Sequence, residues 1–500
     1  MSGLAQQVDA FRAVRAEIEE SILPLATSVD GRRFTFQARV NGLALRLGGY
    51  VMLEGDGEAS LGQVRSLALA EVDLGEIALS GEHDVRTHVP IRIARGEGVL
   101  LDRGAVPFHD RLARPATSAE VGTWLEATAP PRARLAVGRL SPVEDAPLSL
   151  DAGGFDRHTF LCGQSGSGKS YALGVVLEQL LLETDLRVVI LDPNSDFVHL
   201  PEPADRADAD AAGRWGAIAG GIGVRSAASS GDARLRLRFA DLAAATQGAL
   251  LQLDPVGDRE EYAELAALLV QQRPESLGEL AKAGQREARR LGLRIQNLGV
   301  ERWGVWARED GGSVLAGLDD PDVRCLVVDL GSLATPGEQA LVAESVLRGL
   351  WDRRLDRRPV LVVVDEAHNV CPAVPGDPLT ALATEHAVRI AGEGRKFGIY
   401  LLVATQRPQK VHENVVSQCD NLILMRLNSA ADSEFIADRL GFAPPALIGL
   451  ATDFGLGEAL VAGKIASHPA VMRFGTRVAR EGGGDVDADW TRPERRSSRS

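Results

Sequence analysis

The sequence predicts an α/β domain with a mostly parallel sheet, preceded by a small antiparallel β-barrel and interrupted by a helical insertion. Three observations carry that expectation. Short alternating segments separated by Gly- and Asp-rich turns fill residues 34–101. From about Thr159, apolar runs alternate with helical segments, and between Leu200 and about Val314 the periodicity is helical. At 500 residues the chain exceeds a single hydrophobic core, so two or three domains are expected.

Residues 1–22 mix Arg12, Arg15, Glu17, Glu19 and Glu20 with apolar positions, the pattern of an amphipathic helix and not of a signal peptide. Residues 34–40 alternate apolar and polar, as a half-buried strand does; 50–53, 63–69, 89–93 and 99–101 follow in the same style. Turns are expected at Gly48-Gly49, Gly55-Asp56-Gly57 and Gly96-Glu97-Gly98. Strands at this spacing suggest a small barrel, and a small sandwich gives the same pattern. A polar stretch with Pro115, Pro130 and Pro131 then leads to residues 135–140.

Beyond it, 159–162 enters a glycine loop, 170–182 reads as a helix, and 187–191 is a buried strand ending at Asp192. The next core strand is expected at 325–329, followed by a helix at 338–351 and strands at 360–364, 399–403 and 421–426. Residues 242–251, 260–272 and 277–291 are the helices of the insertion. From about Glu481 the chain is charged and rich in Gly, Arg and Ser, the composition of a disordered tail.

Composition narrows the class. A hydrophobic fraction of 45 % and a charged fraction of 25 % are ordinary for a soluble globular protein. No apolar run approaches the roughly 18–20 residues that span a bilayer. Cys162, Cys325, Cys371 and Cys419 are scattered without metal-ligand spacing, as buried thiols in a reducing cytoplasm would be. The net charge of −14 excludes a protein that coats DNA with its whole surface; any nucleic-acid contact has to be local, as in the lining of a pore. Lysine is scarce (Lys169, Lys282, Lys396, Lys410 and Lys464), yet one of these sits where a phosphate-binding motif requires it.

That motif is Gly163-Gln164-Ser165-Gly166-Ser167-Gly168-Lys169-Ser170, followed by Tyr171. It fits G-x-x-x-x-G-K-S, follows an apolar strand and opens a helix. Its glycines let successive backbone N–H groups face a polyphosphate; Lys169 neutralises the β- and γ-phosphates of ATP, and the Ser170 hydroxyl ligates Mg²⁺. The second element, residues 361–368, is an apolar strand ending in Asp365-Glu366-Ala367-His368. Asp365 is placed to hold a Mg²⁺-bound water and Glu366 to act as general base. Gln406 closes the strand 399–403 in Ala404-Thr405-Gln406-Arg407-Pro408, where it can sense a γ-phosphate. Arg395 and Lys396, in Gly392-Glu393-Gly394-Arg395-Lys396-Phe397-Gly398, are candidate arginine-finger-type cations. Asp192, at a carboxyl strand end, is at the ligand edge of the sheet and equally suits a turn or cap. His158, His199 and His368 show no ligand spacing and are expected on the surface or in packing.

With these residues in this order, the sequence resembles the HerA branch of the HerA–FtsK superfamily of ring-forming, DNA-pumping ATPases. The resemblance rests on residues 137–140, 147–151, 163–170, 190–193, 364–368, 393–398, 405–408 and 417–421 with 425–427, and covers roughly two thirds of the chain. It implies a β-barrel (29–145) and a RecA-like P-loop core (146–480), whereas the helix at 1–28, the insertion at about 200–314 and the tail at 481–500 are read from the residues alone and have no match in the resemblance. It also implies a homo-hexamer with ATP sites at subunit boundaries, Arg395 acting in trans with Lys396 and Arg389 as alternatives, and Gln406 as sensor. The implied activity is Mg-dependent ATP hydrolysis driving double-stranded DNA through the ring, beside a nuclease or other effector, in DNA-end processing or anti-phage defence. The alternative is an ATP-gated ring scaffold that recruits and activates an effector. A secretion or conjugation ATPase is a weaker fit, since such relatives usually carry membrane segments or long extra domains.

Overall fold

The computed structural model describes residues 2–483 apart from 56–57, 80–84, 103–105, 130–132, 144–145, 273, 288 and 308–311. Most of the expected tail, from residue 484, lies outside the described residues, as do Asp56 and Gly57 of one expected turn and Pro130 and Pro131. The chain forms two compact units, Met1–Lys169 with Cys419–Gly475, and Ser170–Gln418 with Thr476–Ser500.

The first unit opens with helix α1 (Ser2–Ser21). Its Phe11 and Ile18, with Ile22 beyond, pack on Ala70, Val72, Ile91 and Ile93, so one face of the amphipathic pattern is used. Strands β1 (Leu25–Ser28), β2 (Arg33–Arg39), β3 (Tyr50–Glu54), β4 (Ser60–Leu79), β5 (Val85–Leu100) and β6 (Phe108–Pro115) close into a barrel in the order β1-β2-β5-β4-β3-β6. All of its pairings are antiparallel. Alternation along β2 sends Phe34, Phe36 and Ala38 inward onto Val51, Leu53 and Val64.

The barrel corrects one expectation. Gly96 and Gly98 are not in a turn; they lie inside the continuous strand β5, which unites the two separately expected segments 89–93 and 99–101. They stand opposite Phe36 and Phe34 in register. A Cβ at either glycine would collide with the facing aromatic ring, so the missing side chains make room for the rings.

Helix α2 (Ser118–Thr128) was not anticipated, although its capping box is complete: Thr117 accepts from the Glu120 N–H, and the Glu120 side chain accepts from the Thr117 N–H. Strands β7 (Arg134–Leu140), β8 (Pro147–Asp151) and β9 (Thr159–Cys162) follow. β7 pairs with β8 and with no barrel strand.

In the second unit, helix α3 (Lys169–Glu183) continues from the glycine loop into β10 (Arg187–Asp192). Next come α4 (Ala209–Ala219), β11 (Ile222–Ser226), α5 (Ala244–Leu250), α6 (Arg259–Gln271), α7 (Leu277–Glu287) and α8 (Arg289–Leu298). The region 200–314 is therefore not wholly helical, because β11 pairs in parallel with the next strand, β12 (Cys325–Asp329). Helix α9 (Pro336–Asp352), β13 (Val360–Val364), α10 (Pro378–Glu393), β14 (Ile399–Thr405) and α11 (Glu413–Val416) complete the segment. The five strands run parallel in the order β11-β12-β10-β13-β14. Every residue of β12 and β13 is buried, as a sheet covered on both faces requires.

The chain then returns to the first unit with β15 (Asn421–Met425), α12 (Ala430–Arg439), α13 (Pro445–Gly449), β16 (Glu458–Gly463) and β17 (Ala470–Phe474). β15 is parallel to β9 and antiparallel to β16; β17 joins β16 to β7. Buried Asn421 clasps this sheet: its Nδ2 donates to Gly154 O (2.9 Å), and its Oδ1 accepts from Lys464 N (2.7 Å) and Ile465 N (3.1 Å).

From Thr476 the chain rejoins the second unit as a strap over α3. Arg477 Nε donates to Glu178 Oε1 (2.9 Å), Val478 N donates to Glu178 Oε2 (2.6 Å), and Gly482 N reaches Asp196 O (3.0 Å). All four cysteines are buried thiols. Among the described residues, no helix is long and apolar enough to cross a membrane.

Candidate active site

The glycine loop is built in the first unit by β9, which is buried along its whole length. Gln164 N donates to Arg426 O (2.9 Å), Ser167 N to Gln164 O (3.2 Å) and Gly457 N to Ser167 O (3.1 Å). Gly166 (φ +72°) and Gly168 (φ +90°) have left-handed backbones, and a Cβ at Gly163 would stand 2.7 Å from both Met425 Cβ and Ser167 Oγ. Ser165 and Gly166 are exposed at the tip; Lys169 is buried at the start of α3.

These features fit a phosphate ligand. A Cβ at Gly166 would meet nothing within 4 Å, so the backbone there is open to a close approach. Ser167 Oγ is buried and makes no hydrogen bond among the described residues. The first turn of α3 contains no acidic residue that would compete with an anion for its N–H groups. Arg426, which closes β15, donates from Nη2 to Gly166 O (3.1 Å) and holds the loop tip. Sequence reasoning met Arg426 only within the 425–427 segment and gave it no role.

The carboxylates gather in the second unit because β12, β10 and β13 are in register: Asp329 stands opposite Asp192, and Leu191 opposite Val364, so Asp192 and Asp365 leave neighbouring strand ends. All three aspartates are buried. Asp192 accepts from Asp196 N (3.0 Å) and Phe197 N (2.8 Å), the turn role. Burial pushes its carboxyl up to about 7; the two backbone donors oppose this, and Asp196 and Asp365 add to it. Asp329 accepts from Ser195 Oγ (2.7 Å).

Glu366 follows with φ +41°, a left-handed conformation that costs energy in a residue with a side chain, and is only 4 % exposed. Its neighbour across the sheet is the end of β14. Gln406 Nε2 donates to Glu366 Oε1 (2.8 Å), and Ala367 N donates to Ala404 O (2.9 Å). His368 Nδ1 lies 3.3 Å from Glu366 Oε2 and 3.1 Å from Thr405 Oγ1. The fold thus brings Glu366 and Gln406 together and adds His368 and Thr405. His368, expected at the surface or in packing, is part-buried against Glu366 and Thr405. The available signal was its place in the same tetrapeptide as the two carboxylates. His368 and Asn369 also line a cavity of about 570 Å³ with Trp303, Leu298 and Leu379.

Arg395 and Lys396 are not brought to these carboxylates. Both are exposed in a 3-10 turn, Gly394–Phe397, before the first residue of β14, whereas Gln406 follows its last. β14 has seven residues, a span of roughly 20 Å. Arg389 is engaged within α10, where it pairs with Glu385 (2.7 Å) and lies 5.7 Å from the Trp351 ring centroid.

A family model described as "Helicase HerA, central domain" matches residues 135–279. The curated DNA double-strand break repair helicase HerA of Sulfolobus acidocaldarius is 28 % identical over 176 residues, 33 % of this chain and 35 % of that protein. The protein of the same name from Saccharolobus solfataricus is 30 % identical over 179 residues, 34 % of this chain and 35 % of that one. The match therefore spans about a third of the length of these relatives. Among solved structures, VirB4 of Thermoanaerobacter pseudethanolicus shares the fold, with a TM-score of 0.50 at 16 % identity over 69 % of this chain and 96 % of that one. With a P-loop α/β core and an N-terminal barrel in place, the chain is similar to the HerA branch of the HerA–FtsK superfamily, most directly over residues 135–279.

Proposed function

We propose that this chain is a Mg-dependent ATP hydrolase that moves double-stranded DNA through a cytoplasmic homo-hexamer. In this reading it acts beside a nuclease or other effector in DNA-end processing or anti-phage defence. One observation carries the reading: Glu366, buried on a left-handed backbone, is held by the Gln406 amide at the end of the adjacent strand. A carboxylate fixed by a side-chain amide at a strand end is placed to take a proton from water, which suits a general base.

In this reading a helix and the barrel of β1–β6 precede an ATPase core that takes in β7 and β8 and runs to about residue 480, followed by a tail at 481–500. ATP is the substrate. Residues Gly163 to Gly168 form the loop around its phosphates, with the Gln164 and Ser167 N–H groups shaping the loop from within; Lys169 neutralises the phosphates, and Tyr171 lies in the same first turn of α3. Ser170 and Asp365 would hold Mg²⁺, which when bound supplies charge neutralisation at the phosphates. Glu366 takes the proton of the attacking water, and Gln406 senses the γ-phosphate. Arg395, exposed and at the far end of β14 from Glu366, serves a neighbouring subunit. Contacts to DNA are confined to the ring lining, as the charge of −14 requires, and depend on salt. The relatives named as break-repair helicases support duplex DNA as the partner.

ATP turnover is expected to rise when duplex DNA is added at low salt. Intact turnover with no response to DNA would overturn the translocase and favour an ATP-gated scaffold. Arg395→Ala subunits mixed with Lys169→Ala subunits should recover activity if the finger acts in trans; mixtures as inactive as either parent would remove that assignment.

A further inference from the structure

We propose that His368 is a positioning residue for the general base, holding the Glu366 carboxylate in place by the contact of its imidazole edge with Oε2. The proposal rests on the reading of Glu366 given above. The two carboxylate oxygens have different keepers. Oε1 receives the Gln406 amide (2.8 Å), and Oε2 lies 3.3 Å from His368 Nδ1, a close contact outside hydrogen-bond geometry, while that ring nitrogen bonds to Thr405 Oγ1. The amide and the imidazole edge thus border the two oxygens of the carboxylate and limit its rotation.

The tautomer follows from the surroundings. Nδ1 has two oxygens nearby, Glu366 Oε2 and Thr405 Oγ1 (3.1 Å). A lone pair at Nδ1 would face a buried carboxylate and repel it, whereas a hydrogen there is attracted to both oxygens. Thr405 Oγ1 already accepts from Arg407 N (3.0 Å), which fixes the hydroxyl at the turn that carries Gln406. Thr405 thus ties the imidazole to the strand end that supplies the Gln406 amide. The backbone explains why such support is needed. Glu366 sits at φ +41°, so the side chain leaves the strand in a direction that the preceding apolar run does not determine.

The test uses the full-length protein and compares steady-state ATP turnover, ATP affinity and thermal unfolding. His368→Phe keeps a ring but removes the donor. It is expected to lower kcat about 10- to 100-fold while leaving ATP affinity within about threefold and the unfolding midpoint near that of the parent. His368→Asn puts an amide hydrogen near the Nδ1 position and should recover most of the loss; His368→Gln puts it near Nε2 and should not. Thr405→Val should lower kcat by less, and the double variant with His368→Phe should be no worse than His368→Phe alone.

A His368→Phe enzyme with kcat within twofold of the parent overturns the proposal, and so does His368→Gln outperforming His368→Asn. The Asn and Gln pair decides the matter even if the Phe variant fails to fold. Glu366→Gln run in parallel separates the two levels. Turnover surviving in Glu366→Gln removes the base assignment and this proposal with it. Turnover lost in Glu366→Gln and retained in His368→Phe removes this proposal alone.

Discussion

Glu178 and Glu366 are both buried glutamates of the second unit, and their surroundings differ in kind. Glu178, in the middle of α3, faces the guanidinium of Arg477 and the backbone N–H of Val478; both its oxygens are spoken for by a fixed cation and a fixed dipole. Glu366 leaves a strand end on a left-handed backbone and meets an amide and an imidazole. Burial alone does not separate the two; the backbone conformation and the place at a strand end do. A buried ion pair resists change in either protonation state.

The largest expected effect tests that contrast on activity. Glu366→Gln should lower ATP turnover at least about 100-fold with nucleotide binding retained, while Glu178→Gln should change it by less than about threefold. Phosphate-release and nucleotide-binding assays read both. Equal losses in the two variants would break the comparison.

Stability gives the converse. Arg477→Met strands a buried carboxylate and should cost about 3–5 kcal/mol in denaturant unfolding; combining it with Glu178→Gln should return part of that loss. A double variant no more stable than Arg477→Met would mean that packing of the strap, and not charge, is what Arg477 contributes.

A buried pair without formal charge sharpens the point in the first unit. His468 Nε2 lies 2.6 Å from the Tyr50 hydroxyl, and burial, with Arg65 adding to it, pushes the imidazole down to about 3. The unfolded imidazole titrates near 6.5, so its contribution is fully present above that pH. It is lost as pH falls, because only the unfolded chain takes up the proton. Between pH 7 and pH 5 the loss should be about 2 kcal/mol, and His468→Asn should flatten the slope in unfolding experiments at the two pH values.

The smallest effect concerns a third buried glutamate. Glu338 accepts only backbone donors through its carboxylate oxygens apart from the Thr335 hydroxyl: Gly304 N (2.7 Å), Val305 N (3.3 Å) and Thr335 N (3.0 Å). Thr335→Ala removes one side of this capping box and should cost about 1 kcal/mol, seen as a shifted denaturant midpoint with turnover unchanged.

The parts of the molecule that were readable in the sequence are those whose signal is local. The strands β10, β12, β13 and β14 are continuous apolar runs ending in Asp192, Asp329, Asp365 and Gln406, and the glycine loop needs its residues at fixed spacing. What could not be read depends on distant partners. Gly96 and Gly98 resemble turn glycines until Phe36 and Phe34 are seen across the strand. β6 buries only Ala113 and so shows no alternation. β11 is partnered by a strand about a hundred residues later. His368 looks like a packing residue until β14 places Thr405 and Gln406 beside it. The capping box of α2 is local, but the polar, proline-rich stretch around it masks the helix.

The strap has a consequence for the order in which the protein is made. Glu178 and Arg477 are 299 residues apart in sequence, although their side chains touch. At roughly 5–20 residues per second, the ribosome delivers Arg477 about 15–60 s after Glu178. Throughout that interval the helix behind the phosphate loop has no counter-ion for its buried face. The helix that follows the glycine loop is therefore secured only once residue 477 has emerged, long after the helix itself has been made.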